Sequence, residues 1–406
     1  MPESPDPLFF LHIPKTAGTS LTALLEQRFH EREIMPRTFF GKNALYVTPD
    51  EAAARADEAR QFRLIRGHFG GPIREKLFAD RTSVTVLREP RARVVSLYND
   101  WRTKSDENLA GAPPAERELA AAARELDLGK FLASGHALIG RLFENAQARQ
   151  LAGFLWSSDA ADGPAACEAL DRFDVVGTTE LLAPTAALLC RKMCWGPPES
   201  VARANAARAS ATLDDLDEPA RAHLDRLTRV DQAVYAHAQR RLAGLLAEGL
   251  RDEATDPADR VFVPQDRAET DMLGPLDGSG WHVREGLDTD RPWRWTGPDR
   301  EATCRLPLAP GRAYTLRVWV VSVIAPDILD GAHLTVAGRS LPVERAAVEG
   351  QTVLSAHLPA WLVTPNGPTM LSVLVPRTMS HAEVEPETAD TRPKGLAITR
   401  ISAEPA

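Results

Sequence analysis

Three short blocks near the start of the chain carry residues suited to handling anions and protons. The first is the loop Pro14-Lys15-Thr16-Ala17-Gly18-Thr19-Ser20, which follows the apolar run Leu8-Phe9-Phe10-Leu11-His12-Ile13. Its backbone N–H groups, together with the unpaired N–H groups of a helix beginning there, form an anion cradle. Lys15 adds a full positive charge, and Thr16, Thr19 and Ser20 add hydroxyl donors. The second block is Gly67-His68, offering an imidazole that titrates near neutrality and so can take up a proton. The third ends at Arg88, whose guanidinium is a planar donor fork suited to phosphate. A cationic loop, an imidazole and a guanidinium are equipment for holding an anion and moving a proton.

These residues need elements to hold them. Leu21, Leu24, Leu25 and Phe29 fall at i, i+3, i+4 and i+8, so the first block reads strand, loop, helix. Phe62–Arg66 and Ser83–Leu87 read as two further strands, ending at His68 and Arg88. Pro90 suits a first helical position, and Val94, Leu97, Tyr98 and Trp101 form that helix's apolar face. All three candidates thus follow strands, where open parallel sheets bind ligands. Asn43–Thr48 is expected as a short strand, Pro49–Arg60 as helical, and residues 100–170 as helices joined by loops. Phe173–Glu180 reads as strand and turn, and Leu224, Leu227, Val234, Leu242 and Leu245 mark one long closing helix. His12 is expected in the core, and Arg91 and Arg93 on a solvated helix face.

The loop is not the common nucleotide P-loop, because its lysine stands before the loop and no glycine precedes it. The string HIPKTAGTS instead resembles the 5′-phosphosulfate loop of sulfotransferases that use 3′-phosphoadenosine 5′-phosphosulfate (PAPS), above all the group containing heparan sulfate 2-O-sulfotransferases. VTVLREPRARVVSLYNDW resembles that family's 3′-phosphate-binding strand and helix, and RGHFG its base-bearing Gly-His. NAQARQLAG, FDVVGTTELL and VDQAVYAHA resemble its later segments, so the likeness runs from about 8 to 245; Ala148 departs from it where the family tends to have threonine. The resemblance implies PAPS as donor without a metal, and a carbohydrate-type hydroxyl as acceptor. It implies Lys15 and His68 as catalytic residues, and Lys15, Thr16, Ala17, Gly18, Thr19, Ser20, Arg88 and Ser96 as the cofactor-binding set. Two alternatives stand beside it: a P-loop nucleotide kinase, and a glycan-binding protein that keeps the fold without catalysis.

With 406 residues, two domains are expected, and a net charge of −8 argues against a general nucleic-acid or membrane-surface binder. No apolar run approaches the roughly 20 residues of a membrane span, and MPESPDPLFF has no basic residue, so a cytoplasmic location is expected. Cys167, Cys190, Cys194 and Cys304 are too scattered for a disulfide framework; Cys190 and Cys194 fit one helical turn apart as buried thiols. The fold class expected is a P-loop-like α/β sheet flanked by helices over 1–250, then a linker at 251–275 and an all-β sandwich or jelly roll over 276–406. The β-rich part holds Trp281, Trp293, Trp295, Trp319 and Trp361, expected mostly as core residues, with sugar stacking as the other use. It is expected to fold by itself.

Overall fold

The computed structural model describes residues 6–40, 47–154, 160–195, 211–251 and 263–406 except Pro386 and Ala389. The strand expected at Asn43–Thr48 falls largely outside the described residues. The described chain forms two compact units. One contains Met1–Leu24 and Glu33–Pro257; the other contains Leu25–Arg32 and Ala258–Ala406.

In the first unit, β1 (Leu8–Leu11), β2 (Leu64–Gly67), β3 (Thr82–Leu87) and β4 (Val175–Thr178) form a four-stranded sheet in the order β2-β1-β3-β4. Every pair is parallel. All of β1 is buried, as expected of a strand covered on both faces. Phe9, Leu11, Ile65 and Val176 pack into one cluster with Phe69, Phe78 and Leu151. The chain leaves β1 for β2 on one side and returns to β3 on the other. The split between β1 and β3 is therefore where such a sheet opens a crevice.

Five helices bear on that crevice: α1 (Gly18–Glu26), α2 (Pro90–Thr103), α3 (Ala146–Ala152), α4 (Glu218–Leu227) and α5 (Arg229–Arg251). The α2 helix starts on Pro90, with the Glu89 carboxylate accepting from Ala92 N at 2.6 Å. The single closing helix expected from the apolar period is two helices broken at Thr228. The cause is Asn145, whose Oδ1 accepts from Val230 N at 2.8 Å and Asp231 N at 3.2 Å, capping α5. The expected turn between Cys190 and Cys194 is absent too. Their helix ends at Lys192, leaving Cys190 buried and Cys194 exposed at φ 51°.

In the second unit the strands are β5 (Ala268–Asp271), β6 (Trp281–Glu285), β7 (Trp293–Thr296), β8 (Glu301–Leu306), β9 (Tyr314–Val323) and β10 (His333–Val336). They continue as β11 (Arg339–Leu341), β12 (Val343–Val348), β13 (Gln351–Leu358), β14 (Thr369–Leu374) and β15 (Leu396–Pro405). A four-stranded sheet, β11-β10-β14-β8, and a seven-stranded sheet, β12-β13-β9-β15-β7-β6 with β5 on β15, share one apolar core. Strict alternation along β9 puts Tyr314, Leu316, Val318 and Val320 inside. Part of the stretch expected as linker is strand, since Ala268–Asp271 pairs with Arg400–Ala403. A pattern of four residues mixing Ala, Glu, Thr and Asp carries too little apolar alternation to announce it. Among the described residues no helix is long and apolar enough to cross a membrane.

Candidate active site

The loop after β1 turns by placing two non-glycine residues in the left-handed region, Lys15 at φ 70° and Ala17 at φ 61°. Successive backbone inversions of this kind turn N–H groups to one side. The N–H groups of Thr16, Ala17, Gly18 and Thr19 have no acceptor among the described residues, whereas Ser20 N and Leu21 N bond back to the Ala17 carbonyl. The Thr16 hydroxyl is buried and donates to Ile13 O at 2.8 Å, so it shapes the loop rather than facing outward. A Cβ on Gly18 would lie 1.9 Å from the His12 imidazole; only glycine lets the helix start this close.

His12 is not the enclosed strand residue expected: β1 ends at Leu11, and the His12 ring is half-buried, stacked on Phe10 and 4.2 Å from the ring of His68. Its backbone carbonyl accepts from His68 Nδ1 at 2.7 Å and from Gln150 Nε2 at 3.1 Å. Because a carbonyl only accepts, Nδ1 of His68 carries the proton and Nε2 keeps the lone pair. Burial draws the His68 pKa down to about 4, with Arg37 and Arg93 adding to the fall, against the opposing effect of the bond to His12. His12 is pushed well below its ordinary value by burial, then by His68, Arg37 and Lys15. Both imidazoles are neutral at pH 7.

The Lys15 ammonium pairs with Asp100 Oδ1 at 2.7 Å, and the Lys15 carbonyl accepts from Arg88 Nη1 at 3.2 Å. Arg88 follows β3, and its backbone is held at both ends by Gln147: Arg88 N donates to Oε1 and Nε2 donates to Arg88 O, each at 3.0 Å. Burial lowers the Arg88 pKa, while the Glu180 and Glu89 carboxylates act the other way. Glu180 accepts from Glu89 N at 3.2 Å and from the Tyr235 hydroxyl at 2.7 Å. The Ser96 side chain is half-buried, with no hydrogen-bond partner among the described residues.

Arg93, expected on a solvated face, is fully buried. It donates to Pro14 O at 3.0 Å and to Leu142 O at 3.2 and 3.3 Å, and burial lowers its pKa to about 10. Arg91 is partly exposed and pairs with Asp225 at 2.6 Å. The helix carrying Arg93, Ser96 and Asp100 therefore turns one face to the loop, since these positions are i, i+3 and i+7. Asp231, in the segment resembling the family's closing helix, accepts from Gln147 N at 3.3 Å and Ala148 N at 2.8 Å.

The structure thus brings Lys15, the loop N–H groups, His68 and Arg88 to the carboxyl ends of β1, β2 and β3. Sequence reasoning missed Asp100, Gln147, Gln150 and Arg37. Asp100 had a visible signal, its i+4 spacing from Ser96. Gln147 and Gln150 lie in the NAQARQLAG segment that the resemblance picked out, but their roles, through backbone groups distant in sequence, were not readable from it. Among the described residues no three His, Cys, Asp or Glu side chains group as metal ligands.

The Sulfotransferase family model matches residues 3–132, the segment holding all three blocks. A protein-tyrosine sulfotransferase of Arabidopsis thaliana is 34% identical over 95 residues, which is 23% of this chain and 17% of the plant protein. The chain therefore spans a minor part of that relative's length.

Proposed function

We propose that this protein transfers the sulfuryl group of PAPS to a carbohydrate or glycolipid hydroxyl, without a metal. The observation that carries the reading is the set of loop N–H groups from Thr16 to Thr19 that have no acceptor among the described residues, lying beside Lys15 and Arg88 at the β1/β3 split. These donors fit the anionic donor: the loop and Lys15 hold the 5′-phosphosulfate end, and Arg88 with the Ser96 hydroxyl holds the 3′-phosphate. Bound PAPS supplies the activated sulfuryl group. The residues do the rest by position and charge. His68 Nε2 takes the acceptor hydroxyl's proton while Nδ1 stays anchored on the His12 carbonyl. Lys15 leaves Asp100 and offers its ammonium to the oxygen on which negative charge grows.

A second acceptor class has one observation in its favour: the plant relative's name specifies protein tyrosine. A phenol is acidic enough to lose its proton to a weak base, and a half-buried imidazole with a pKa drawn to about 4 is a weak base. Sulfuryl transfer from radiolabelled PAPS to a tyrosine-containing acidic peptide and to a glycan pool, run side by side, separates the two. Calorimetry with PAP (adenosine 3′,5′-bisphosphate) in EDTA tests the donor, with PAP expected to bind far more tightly than 5′-AMP. Equal affinities would remove the 3′-phosphate role of Arg88 and Ser96.

A further inference from the structure

We propose that the outer face of the seven-stranded sheet carries a saccharide-binding cleft built around Trp361 and Arg339. The tryptophans expected mostly in the core of the second unit are graded instead: Trp281 and Trp295 are buried, as a sandwich core requires, Trp293 and Trp319 are half-buried, and Trp361 is 66% exposed. A single exposed aromatic needs no explanation by itself. This one sits on a fixed turn, Ala360–Leu362, closed by Leu362 N to Pro359 O at 2.9 Å and Val363 N to Ala360 O at 3.3 Å. Val363 is buried in the core and Leu362 packs against it, so the backbone holding the ring is anchored from below.

Beside the ring lies a cleft of about 740 Å³. Strand register supplies its floor and wall: Glu344 stands across from Ser355, and His357 across from Thr315, all on the face turned away from the core. The Arg339 guanidinium reaches in from β11, 5.1 Å from the centre of the Trp361 ring. Neither Arg339 nor Glu344 forms an ion pair among the described residues.

A sugar ring has an apolar C–H face and a rim of hydroxyls that both donate and accept. The indole offers a flat surface for the first. Arg339 donates to the rim, Glu344 accepts from it, and His357, Thr315 and Ser355 do either. The mixture argues against other occupants. A nucleic acid or other polyanion would meet the Glu344 carboxylate against one guanidinium, and an apolar helix or lipid would strand both charges. Binding rests on this unit alone. That the bound glycan is also the acceptor rests on the carbohydrate reading of the active site.

The experiment uses the full-length protein and a panel of neutral, uronate-containing and sulfated tetrasaccharides, with calorimetry on those retained. At least one is expected to bind. Trp361→Ala should weaken it more than tenfold, and Glu344→Gln and Arg339→Ala several-fold each, with circular dichroism and PAP affinity unchanged. If no tetrasaccharide binds, or if Trp361→Ala binds as tightly as wild type, the proposal falls. Sulfuryl transfer to a simple methyl glycoside, too small to span both sites, is run in parallel. A cleft that binds glycan in a protein that sulfates only peptide keeps this proposal and removes the carbohydrate-acceptor reading.

Discussion

At the scale of single residues, the site is governed by what holds each charge before any ligand arrives. His68 is oriented by a neighbouring carbonyl and kept neutral by burial and by the cations Arg37 and Arg93. Replacing His68 by Ala should lower turnover by roughly a hundredfold to ten-thousandfold while PAP affinity holds; an active variant would leave His68 with an anchoring role only. The pH dependence follows from the same facts. With a folded pKa near 4, the free enzyme keeps its base unprotonated far below the ordinary histidine range, so the acid limb of kcat/KM should lie well under pH 6. A bound polyanion stabilises the imidazolium, so the acid limb of kcat should lie higher. For stability the sign is also set. Between pH 6.5 and about 4 the unfolded chain binds the protons that native His68 refuses, so stability falls as pH falls through that window. His12, lowered in the same direction, adds to it. Asp100 is the counterweight on Lys15. An ion pair this exposed is worth about 0.2–1 kcal/mol, so Asp100→Asn should raise PAP affinity by up to about fivefold, less so at high salt; unchanged affinity would mean that Lys15 does not reach the donor.

At the scale of elements, the three strand-ends were legible because each sits inside a strong local pattern. The apolar run before Lys15, the β-branched run before Arg88 and the glycines around His68 state strand, loop and helix without help from distant residues. What the sequence hid is tertiary satisfaction of backbone groups. Arg93 has the composition of a surface residue, yet it is buried to satisfy the carbonyls of Pro14 and Leu142. Asn145 breaks a continuous apolar period at Thr228 because its side chain caps a helix far along the chain. Gln147 belongs to the same class. It closes two hydrogen bonds on the Arg88 backbone, and neither partner marks the other in sequence. Gln147→Leu leaves a buried N–H and a buried carbonyl unpaired, a cost of about 1–3 kcal/mol per group. It should lower the melting temperature and weaken PAP binding together, because Arg88 loses its anchor. A variant that melts earlier yet binds PAP as wild type does would separate Arg88 placement from Gln147.

At the scale of the whole molecule, composition announced two parts but not how the chain is shared between them. The second unit takes in Leu25–Arg32 from the end of the first helix, an exchange that no linker composition marks. Within that unit Arg284 keeps only 4% of its side chain in solvent and pairs with Glu31 at 3.0 Å, while Leu276 N donates to Gln27 O at 3.1 Å and Glu31 N to Leu273 O at 2.8 Å. Burial makes both Arg284 and Arg294 harder to charge, the Arg284 guanidinium adds to that effect at Arg294, and Glu31 offsets both. A tail beginning at Ala258 keeps the two arginines and loses that carboxylate. The expectation that the β-rich part folds by itself is thereby narrowed: produced alone, residues 258–406 should be less stable than in the full chain, and should recover with added salt, which screens the repulsion. Cutting at Leu250 should also weaken the remaining enzyme, since Gln27 and Glu31 lose their backbone partners. The cleaner test leaves the chain whole. Glu31→Gln keeps the shape and removes the charge. Breaking a fully buried pair costs roughly 3–5 kcal/mol, but Glu31 keeps 33% of its side chain in water, which screens the loss. A destabilisation on the order of 1–3 kcal/mol is therefore expected in a calorimetric scan. It should appear in the transition that a ligand of the second unit shifts, and PAP should leave that transition in place. An unchanged scan would mean that Glu31 is dispensable to the two arginines, and would return the tail to the status of a self-sufficient module.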